Sequence, residues 1–250
     1  MRFHGQVVVV TGAGRGIGAA TARAFAAEGA RLAVLDIDAA GLDALVQDLA
    51  AKGTDVLGLR CDVTVGAEVK QVFEAVASRF GRIDVLVNNA GGFSRIRPTE
   101  EIPDEEWDAI LRLNLTSVFL STKAVLPIMK RQRAGRIVNL ASVVGRSAAV
   151  SVTTHYAAAK AGVIGFTRNL AREVGPDGIT VNAIAPGTVG TERFWALRSP
   201  EETRRIAESV PLRRVAEPEE IAQCILFLAS DAAGYMTGAA LDVNGGMVML

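Results

Sequence analysis

Three residues in this chain have the types and spacing for proton transfer at an oxygen atom: Ser142, Tyr156 and Lys160. From Tyr156 onward the sequence continues as AAAKAGVIGFTRNLAREV, good helix formers with apolar positions at helical spacing. Tyr156 and Lys160 are four apart, so a helix places them on one face, one turn from each other. A free tyrosine titrates near about 10, and a neighbouring ammonium favours the phenolate and draws that value toward neutrality. A phenol tuned in this way passes a proton to or from a substrate oxygen near neutral pH. Ser142 ends a segment that reads as a strand (GRIVNLAS) and can hold the same oxygen with its hydroxyl. It is not the serine of a nucleophile elbow, because the glycine two residues before it is missing. Taken alone, a Tyr-x-x-x-Lys pair is also ordinary helix surface.

Groups on separate segments need a rigid frame. The sequence alternates strand and helix patterns from end to end, without a linker or low-complexity stretch. Val/Ile/Leu-rich runs predict strands at 7–10, 31–35, 56–60, 85–88, 136–140, 180–183 and 241–243. Helical patterns lie between them, among others at 17–28, 40–52, 67–79 and 105–130. This alternation predicts an α/β fold, a doubly wound parallel sheet with helices on both faces, in one domain over 1–250. Half of the 250 residues are apolar, enough to cover both faces. In open sheets of this kind ligands bind at the carboxyl ends of the strands.

The first loop at such an end is TGAGRGIG, with glycines at 12, 14, 16 and 18, directly between a strand and a helix. The spacing Gly12-x-x-x-Gly16-x-Gly18 is not G-x-G-x-x-G, but it meets the same need: a tight turn, then close approach of amides and a helix N-terminus to a pyrophosphate. The second strand ends in LDID. Asp36, 18 residues beyond Gly18, suits the adenosine ribose hydroxyls and repels a 2′-phosphate, which favours NAD over NADP. Arg15 argues weakly the other way, since it can reach a phosphate. Asp36 as a plain helix cap is the alternative, although Asp38 is better placed for that. In CDV (61–63), Asp62 can accept from an adenine amino group while Val63 packs on the ring; a helix cap is the competing role. NNAGG (88–92) offers amides and glycines for tight approach at a sheet edge.

Asn114 is an odd choice inside LRLNLTSVFL, being a poor helix former and a buried amide that needs partners. Either it is a satisfied core polar group or an accommodated kink holding a water, or it leads protons from solvent through that water to Lys160. After the sixth strand, APGTVGTERFW opens an irregular region to about residue 200. There Pro186 and Gly187 end the strand and leave backbone groups of Thr188 and Val189 for a ligand amide. Phe194 and Trp195 are a substrate-facing lid or cover for the core.

TGAGRGIG, Asp62, NNAG (88–91), Asn114, Ser142, YAAAK (156–160), PGTVGT (186–191) and TGAALDVNGG (237–246) occur in one order along the chain. In that joint pattern the whole chain resembles the short-chain dehydrogenase/reductase family. The resemblance implies a seven-stranded Rossmann sheet of order 3-2-1-4-5-6-7 and a homotetramer or homodimer. It implies Tyr156 as acid/base, Ser142 positioning the substrate oxygen, Lys160 lowering the phenol's pKa and binding the nicotinamide ribose, and Asn114 completing a proton relay. The coenzyme, NAD with NADP as the other option, is expected at Gly12, Arg15, Gly16, Ile17, Gly18, Asp36, Ile37, Asp62, Val63, Asn89, Ala90, Gly91, Tyr156, Lys160, Pro186, Gly187, Val189 and Thr191. Val189 and Thr191 match positions that fix the carboxamide. No metal is needed.

Several segments also resemble 3-oxoacyl-[acyl-carrier-protein] reductases, with Arg133 and Arg172 where those enzymes have basic residues facing the carrier. Asp36, the longer Ser142-to-Tyr156 spacing and the segment TERFWAL depart from that group. The leading expectation is therefore an NAD-linked secondary-alcohol or cyclic-diol dehydrogenase, working toward oxidation, and the carrier-protein reductase using NADPH is the alternative. A nucleotide-sensing or scaffold protein is a remote third. Phe93, Arg95, Ser142, Val144, Ser147, Val150, Thr153, Phe194 and Trp195 are the expected substrate pocket. His155 is expected at the surface or a subunit contact.

Formal net charge is zero, which gives no footprint for nucleic acid or an anionic membrane. The run Lys130-Arg131-Gln132-Arg133 reads as a helix end where cations suit the macrodipole. The apolar runs look too short to span a bilayer, and the four apolar residues before Thr11 too short for a signal-peptide core. Cys61 and Cys224 form no metal or redox spacing and are expected to be reduced. A cytoplasmic protein is the expectation.

Overall fold

Runs of β-branched residues and leucine set the sheet. In β1 (Val7–Thr11) every side chain is buried, the signature of a strand covered on both faces. With β2 (Arg31–Asp36), β3 (Val56–Arg60), β4 (Val85–Asn88), β5 (Gly135–Leu140), β6 (Ile179–Pro186) and β7 (Ala240–Val243) it forms a parallel seven-stranded sheet, in the order β3-β2-β1-β4-β5-β6-β7. The computed structural model describes residues 1–93, 96–148, 152–196 and 198–249. The helices are α1 (Gly16–Ala27), α2 (Ala39–Ala51), α3 (Gly66–Phe80), α4 (Asp104–Leu111), α5 (Ser117–Gln132), α6 (Thr154–Val174), α7 (Glu192–Ala196), α8 (Pro200–Ser209) and α9 (Pro218–Ala229).

The period-two alternation of the strands divides the core. Val8, Val10, Leu32 and Val34 face Ala22 and Phe25 of α1 and Ile221 and Ile225 of α9. Val7, Val9, Ala33 and Leu35 face the other way, onto Phe73 of α3, Met129 of α5 and Leu170 of α6. Each buried valine, leucine, isoleucine, phenylalanine or methionine among them contributes roughly 1.5–3 kcal/mol relative to exposure. Asn88, Asn139 and Thr167 cross this core as a buried polar ladder, Asn88 donating to Asn139 at 2.8 Å and Asn139 to Thr167 at 2.9 Å. It fixes β4, β5 and α6 in register, which hydrophobic contact alone does not do.

Three differences from the sequence expectations have local causes. β6 runs on through Pro186 because Ala183 to Pro186 pair with β7; proline is tolerated in the last position, where no donor is needed. The single helix expected over 105–130 is two helices joined by a π-helical turn, Arg112–Thr116, with buried Asn114 inside it. The region expected to be irregular up to about residue 200 contains α7. The stretch Asp104–Gln132 is, by length and composition, long and apolar enough to cross a membrane, contrary to the expectation. In this fold Val118, Val125 and Met129 of that stretch are buried in the protein core.

Asp38 caps α2 by accepting from Gly41, which frees Asp36 from that task. Lys130 and Arg131 lie in the last turn of α5, which ends on Arg133 in the left-handed region (φ 55°). Gly12, Asp36, Asp62, Asn89, Ser142 and Gly187 all lie at or just beyond carboxyl ends of strands and so meet on one edge of the sheet.

Candidate active site

A cavity of about 540 Å³ opens along this edge. At one end the chain turns sharply from β1 into α1. Gly12 sits at φ 63°, and a methyl group there would lie 2.7 Å from the Cα of Ala90. Asn89 clamps the turn, its Nδ2 donating to the carbonyls of Thr11 (3.0 Å) and Gly12 (2.8 Å). Arg15 is the extended N-cap residue of α1 and makes no side-chain cap, and the first turn holds no acid. The free N–H groups at Gly16 and Ile17 thus open into the cavity and fit a pyrophosphate. Gly18 does not line the cavity; a side chain there would overlap the Gly12 carbonyl, so its part is close helix–strand packing.

Asp36 lies farther along the wall, its carboxylate accepting from the amides of Gly14 (2.7 Å) and Asp38 (2.9 Å). Ile37, Asp62 and Val63 continue the same surface. Asp62 caps no helix: it accepts from the amide and hydroxyl of Thr64 at 2.9 and 2.7 Å, while α3 starts only at Gly66. Cys61 is a free, buried thiol beside it, pushed up to about 11 mainly by burial. Ala90, Gly91, Pro186, Gly187, Val189 and Thr191 complete the part of the wall expected for a dinucleotide. The residues present therefore fit the coenzyme.

At the other end Ser142, Tyr156 and Lys160 face the cavity together. Lys160 Nζ donates to the carbonyl of Leu140 at 2.6 Å and stands 5.6 Å from the Tyr156 ring centroid. Ser142 Oγ accepts from the Val144 amide at 3.4 Å, and its hydroxyl also bonds the Tyr156 phenol. Phe93 packs on Tyr156 with ring centroids 4.8 Å apart. The expected acidification of the phenol by Lys160 is not what this geometry gives. Burial pushes Tyr156 up to about 12, with the Ser142 hydroxyl and the Arg193 cation pulling the other way. Lys160 itself is lowered to about 8 by burial.

Asn114 is not among the residues lining the cavity, and its side chain makes three hydrogen bonds. Nδ2 donates to the carbonyls of Gly92 (2.9 Å) and Ile110 (3.0 Å), and Oδ1 accepts from the Gly92 amide (2.8 Å). The side chain is thus a hydrogen-bonded core group at an accommodated helical bulge, and its Oδ1 shares with Lys160 Nζ the space beside Gly91, where a methyl group would lie 2.7 and 3.3 Å from them. Of the expected substrate wall, Phe93, Ser142, Val144 and Phe194 line the cavity. Ser147, Thr153 and Trp195 are not among its lining residues, and Arg95 and Val150 fall outside the described residues. Thr153 is fully buried with Oγ1 on His155 Nδ1 at 2.8 Å, and Trp195 Nε1 donates to the Gly190 carbonyl at 2.9 Å. His155, expected at the surface or a subunit contact, is buried within the chain: Nε2 lies 3.4 Å from Glu106, which pairs with Arg97 at 3.0 Å. Arg133 is engaged by Asp177 at 2.8 Å, while Arg172 is exposed.

Sequence reasoning missed Gly145 and Arg193. Gly145 packs on the backbone of α6, where a methyl group would lie 2.6 Å from the Lys160 carbonyl carbon; only the glycine itself, three residues after Ser142, hinted at this. Arg193 lines the cavity, and its charge in a segment that departs from the resembled reductases was the available signal.

The family described as enoyl-(acyl carrier protein) reductase matches residues 12–248. The chain is 44% identical over 250 residues, the full length of both proteins, to 3-oxoacyl-[acyl-carrier-protein] reductase FabG of Escherichia coli (strain K12). It is 45% identical, again over both full lengths, to the FabG protein of Thermotoga maritima. Among solved structures, that of levodione reductase superposes with a TM-score of 0.92 at 40% identity, covering 98% of each chain. With the seven-stranded sheet and the shared Ser142–Tyr156–Lys160 cavity, these similarities identify the chain as a member of the short-chain dehydrogenase/reductase family, an oxidoreductase acting on CH–OH groups with NAD or NADP as acceptor.

Proposed function

We propose that this enzyme interconverts a 3-oxo and a 3-hydroxy acyl compound, in the favoured direction reducing the ketone. The observation that carries this is the convergence of Ser142, Tyr156 and Lys160 on one cavity; the full-length similarity to reductases named for 3-oxoacyl groups supports the acyl class over the dehydrogenase first expected. A bound nicotinamide supplies or accepts the hydride. Ser142, beside the phenol, orients the reacting oxygen through its hydroxyl. Tyr156, held in its acid form well above neutral pH, donates a proton to that oxygen during reduction. Lys160, fixed on Leu140, is the cation beside the phenol and the group placed to bind a ribose hydroxyl.

A second reading, oxidation of a secondary alcohol or cyclic diol with NAD, is favoured by Asp36, whose carboxylate on the cavity wall repels a 2′-phosphate. The same carboxylate supports NAD(H) over NADP(H) in either reading. Cytoplasmic residence and a homotetramer or homodimer belong to the proposal too; exposed Trp107 and Phe119 on α4 and α5 are apolar surface that such an assembly would cover.

The test follows the reduced-nicotinamide absorbance with an acetoacetyl thioester, acetoacetate, and a panel of secondary alcohols and cyclic diols. Turnover of 3-oxo compounds supports the first reading, and turnover restricted to the alcohol panel replaces it with the second. Tyr156→Phe should lose turnover by at least about a thousandfold while still binding coenzyme; retained turnover removes the phenol from the mechanism.

A further inference from the structure

Arg193 is the feature of the cavity that the reaction as described leaves unused. Its segment bridges the two ends of the cavity. Thr191 lies against Gly16 at the pyrophosphate end, while two residues later Arg193 reaches Gly92 at the phenol end. Gly92 permits this approach, since a methyl group there would lie 2.7 Å from Nη1. Phe93, the next residue, stacks on Tyr156.

The guanidinium is half-buried, and among the described residues no carboxylate comes within 4.0 Å of it. The acids on the cavity wall are otherwise placed. Asp36 is bonded to Gly14 and Asp38, Asp62 to Thr64, and Glu192 faces Gly16. Other cations stand nearby instead: Arg15 is close enough to repel Arg193, and Arg198 stacks on Phe194 at 4.9 Å on the same wall. A cation taken partly out of water without a counter-charge is unfavourable unless a ligand supplies one. Phe93, Val144, Val152 and Phe194 on the same wall are apolar, so Arg193 is one of the few polar groups that can fix a ligand's orientation there.

We propose that Arg193 binds a carboxylate on the substrate itself, so that the enzyme acts on a free oxo acid or hydroxy acid and not on a neutral thioester. This rests on the ketone–alcohol chemistry of Ser142 and Tyr156 and narrows its substrate. Guanidinium and carboxylate match in a two-bonded fork, which orients the carbonyl carbon as well as adding affinity.

The experiment compares 3-hydroxybutyrate with its methyl ester in the wild type and in Arg193→Gln, with NAD saturating. The ester has no charge to pair and serves as the internal reference for any disturbance of the loop. The expected result is an acid-over-ester preference in kcat/KM of about tenfold or more in the wild type, collapsing toward unity in the variant. In parallel, butyrate binding to the NADH-saturated enzyme is read by calorimetry, which needs no turnover, and should be lost in Arg193→Gln. Equal kcat/KM for acid and ester in the wild type, a variant that keeps the preference, or butyrate binding equally well to both proteins would overturn the proposal. A loss of NADH affinity matching the loss on the acid would overturn it as well, by assigning Arg193 to the coenzyme phosphates. If neither acid nor ester turned over while butyrate still bound through Arg193, the 3-oxo reading would fall and this one would stand.

Discussion

Lys160 donates to the carbonyl oxygen of Leu140 across 2.6 Å, tying the helix that carries the phenol to the strand end that leads to Ser142. The bond holds a buried ammonium, only 3% exposed, whose pKa is lowered to about 8 by burial. The unfolded chain keeps the ordinary lysine value of about 10.4. Between those two values the unfolded state binds more protons than the folded one, so folding stability rises with pH across that window. Below pH 8 both states are protonated and the full burial penalty is present. Urea unfolding of the wild type and Lys160→Met at pH 7 and pH 10 checks this. The wild type should gain about 2 kcal/mol on the variant as pH rises; a gap independent of pH would show that the amine is not buried as a cation.

Gly145 sets the distance between the same two segments. A methyl group there would press on the carbonyl carbon of Lys160 and the amide of Ala161, at 2.6 and 2.7 Å. These are backbone atoms with no rotamer to yield, so the turn carrying Ser142 must move away from the phenol. Gly145→Ala should lower kcat by about tenfold to a hundredfold, with the dissociation constant for NADH, read by fluorescence, changing far less. Full activity would mean that the turn tolerates the shift without misplacing Ser142.

Much of this was readable from the chain. The strand patterns showed the sheet because each central strand is a run of residues buried on both faces, and the glycine turn and Ser142 line one cavity because both follow strand ends. What was not readable depended on direction and burial. Spacing puts Lys160 one turn from Tyr156 but does not say that its amine bonds Leu140, nor that burial dominates at the phenol. Thr153 and His155 look like pocket and surface residues in sequence, yet they bond each other inside the protein, since α6 begins at Thr154 and turns them inward. Arg193 was hidden by its short helix, which no periodicity announces.

Asp36 makes a coenzyme prediction. Its carboxylate accepts from Gly14 and Asp38 and so is fixed in place at the wall where an adenosine ribose is expected. A 2′-phosphate there meets like charge. NADH should bind at least about tenfold more tightly than NADPH, and Asp36→Asn should narrow the difference by weakening the repulsion. Fluorescence titration of both coenzymes decides it; tighter binding of NADPH by the wild type would remove Asp36 from that role.

Asn114 gives the last prediction. Two of its three hydrogen bonds join the π-helical turn to both backbone groups of Gly92, the residue on which the Arg193 guanidinium rests, and the third goes to the Ile110 carbonyl. Asn114→Ala leaves buried donors and acceptors without partners, at about 1–3 kcal/mol for each group stranded. A stability loss of roughly 2–4 kcal/mol in urea unfolding is expected. Gly92 would then be free to shift toward the cavity, moving Arg193 and Phe93 with it. Asn114→Asp should not rescue the site, because a carboxylate still accepts from the Gly92 amide but faces the carbonyls of Gly92 and Ile110 with no proton to give. If Asn114 acted chiefly through a relay water, the alanine variant would be nearly as stable as the wild type and lose only turnover, the opposite of the stability-first outcome that these bonds require.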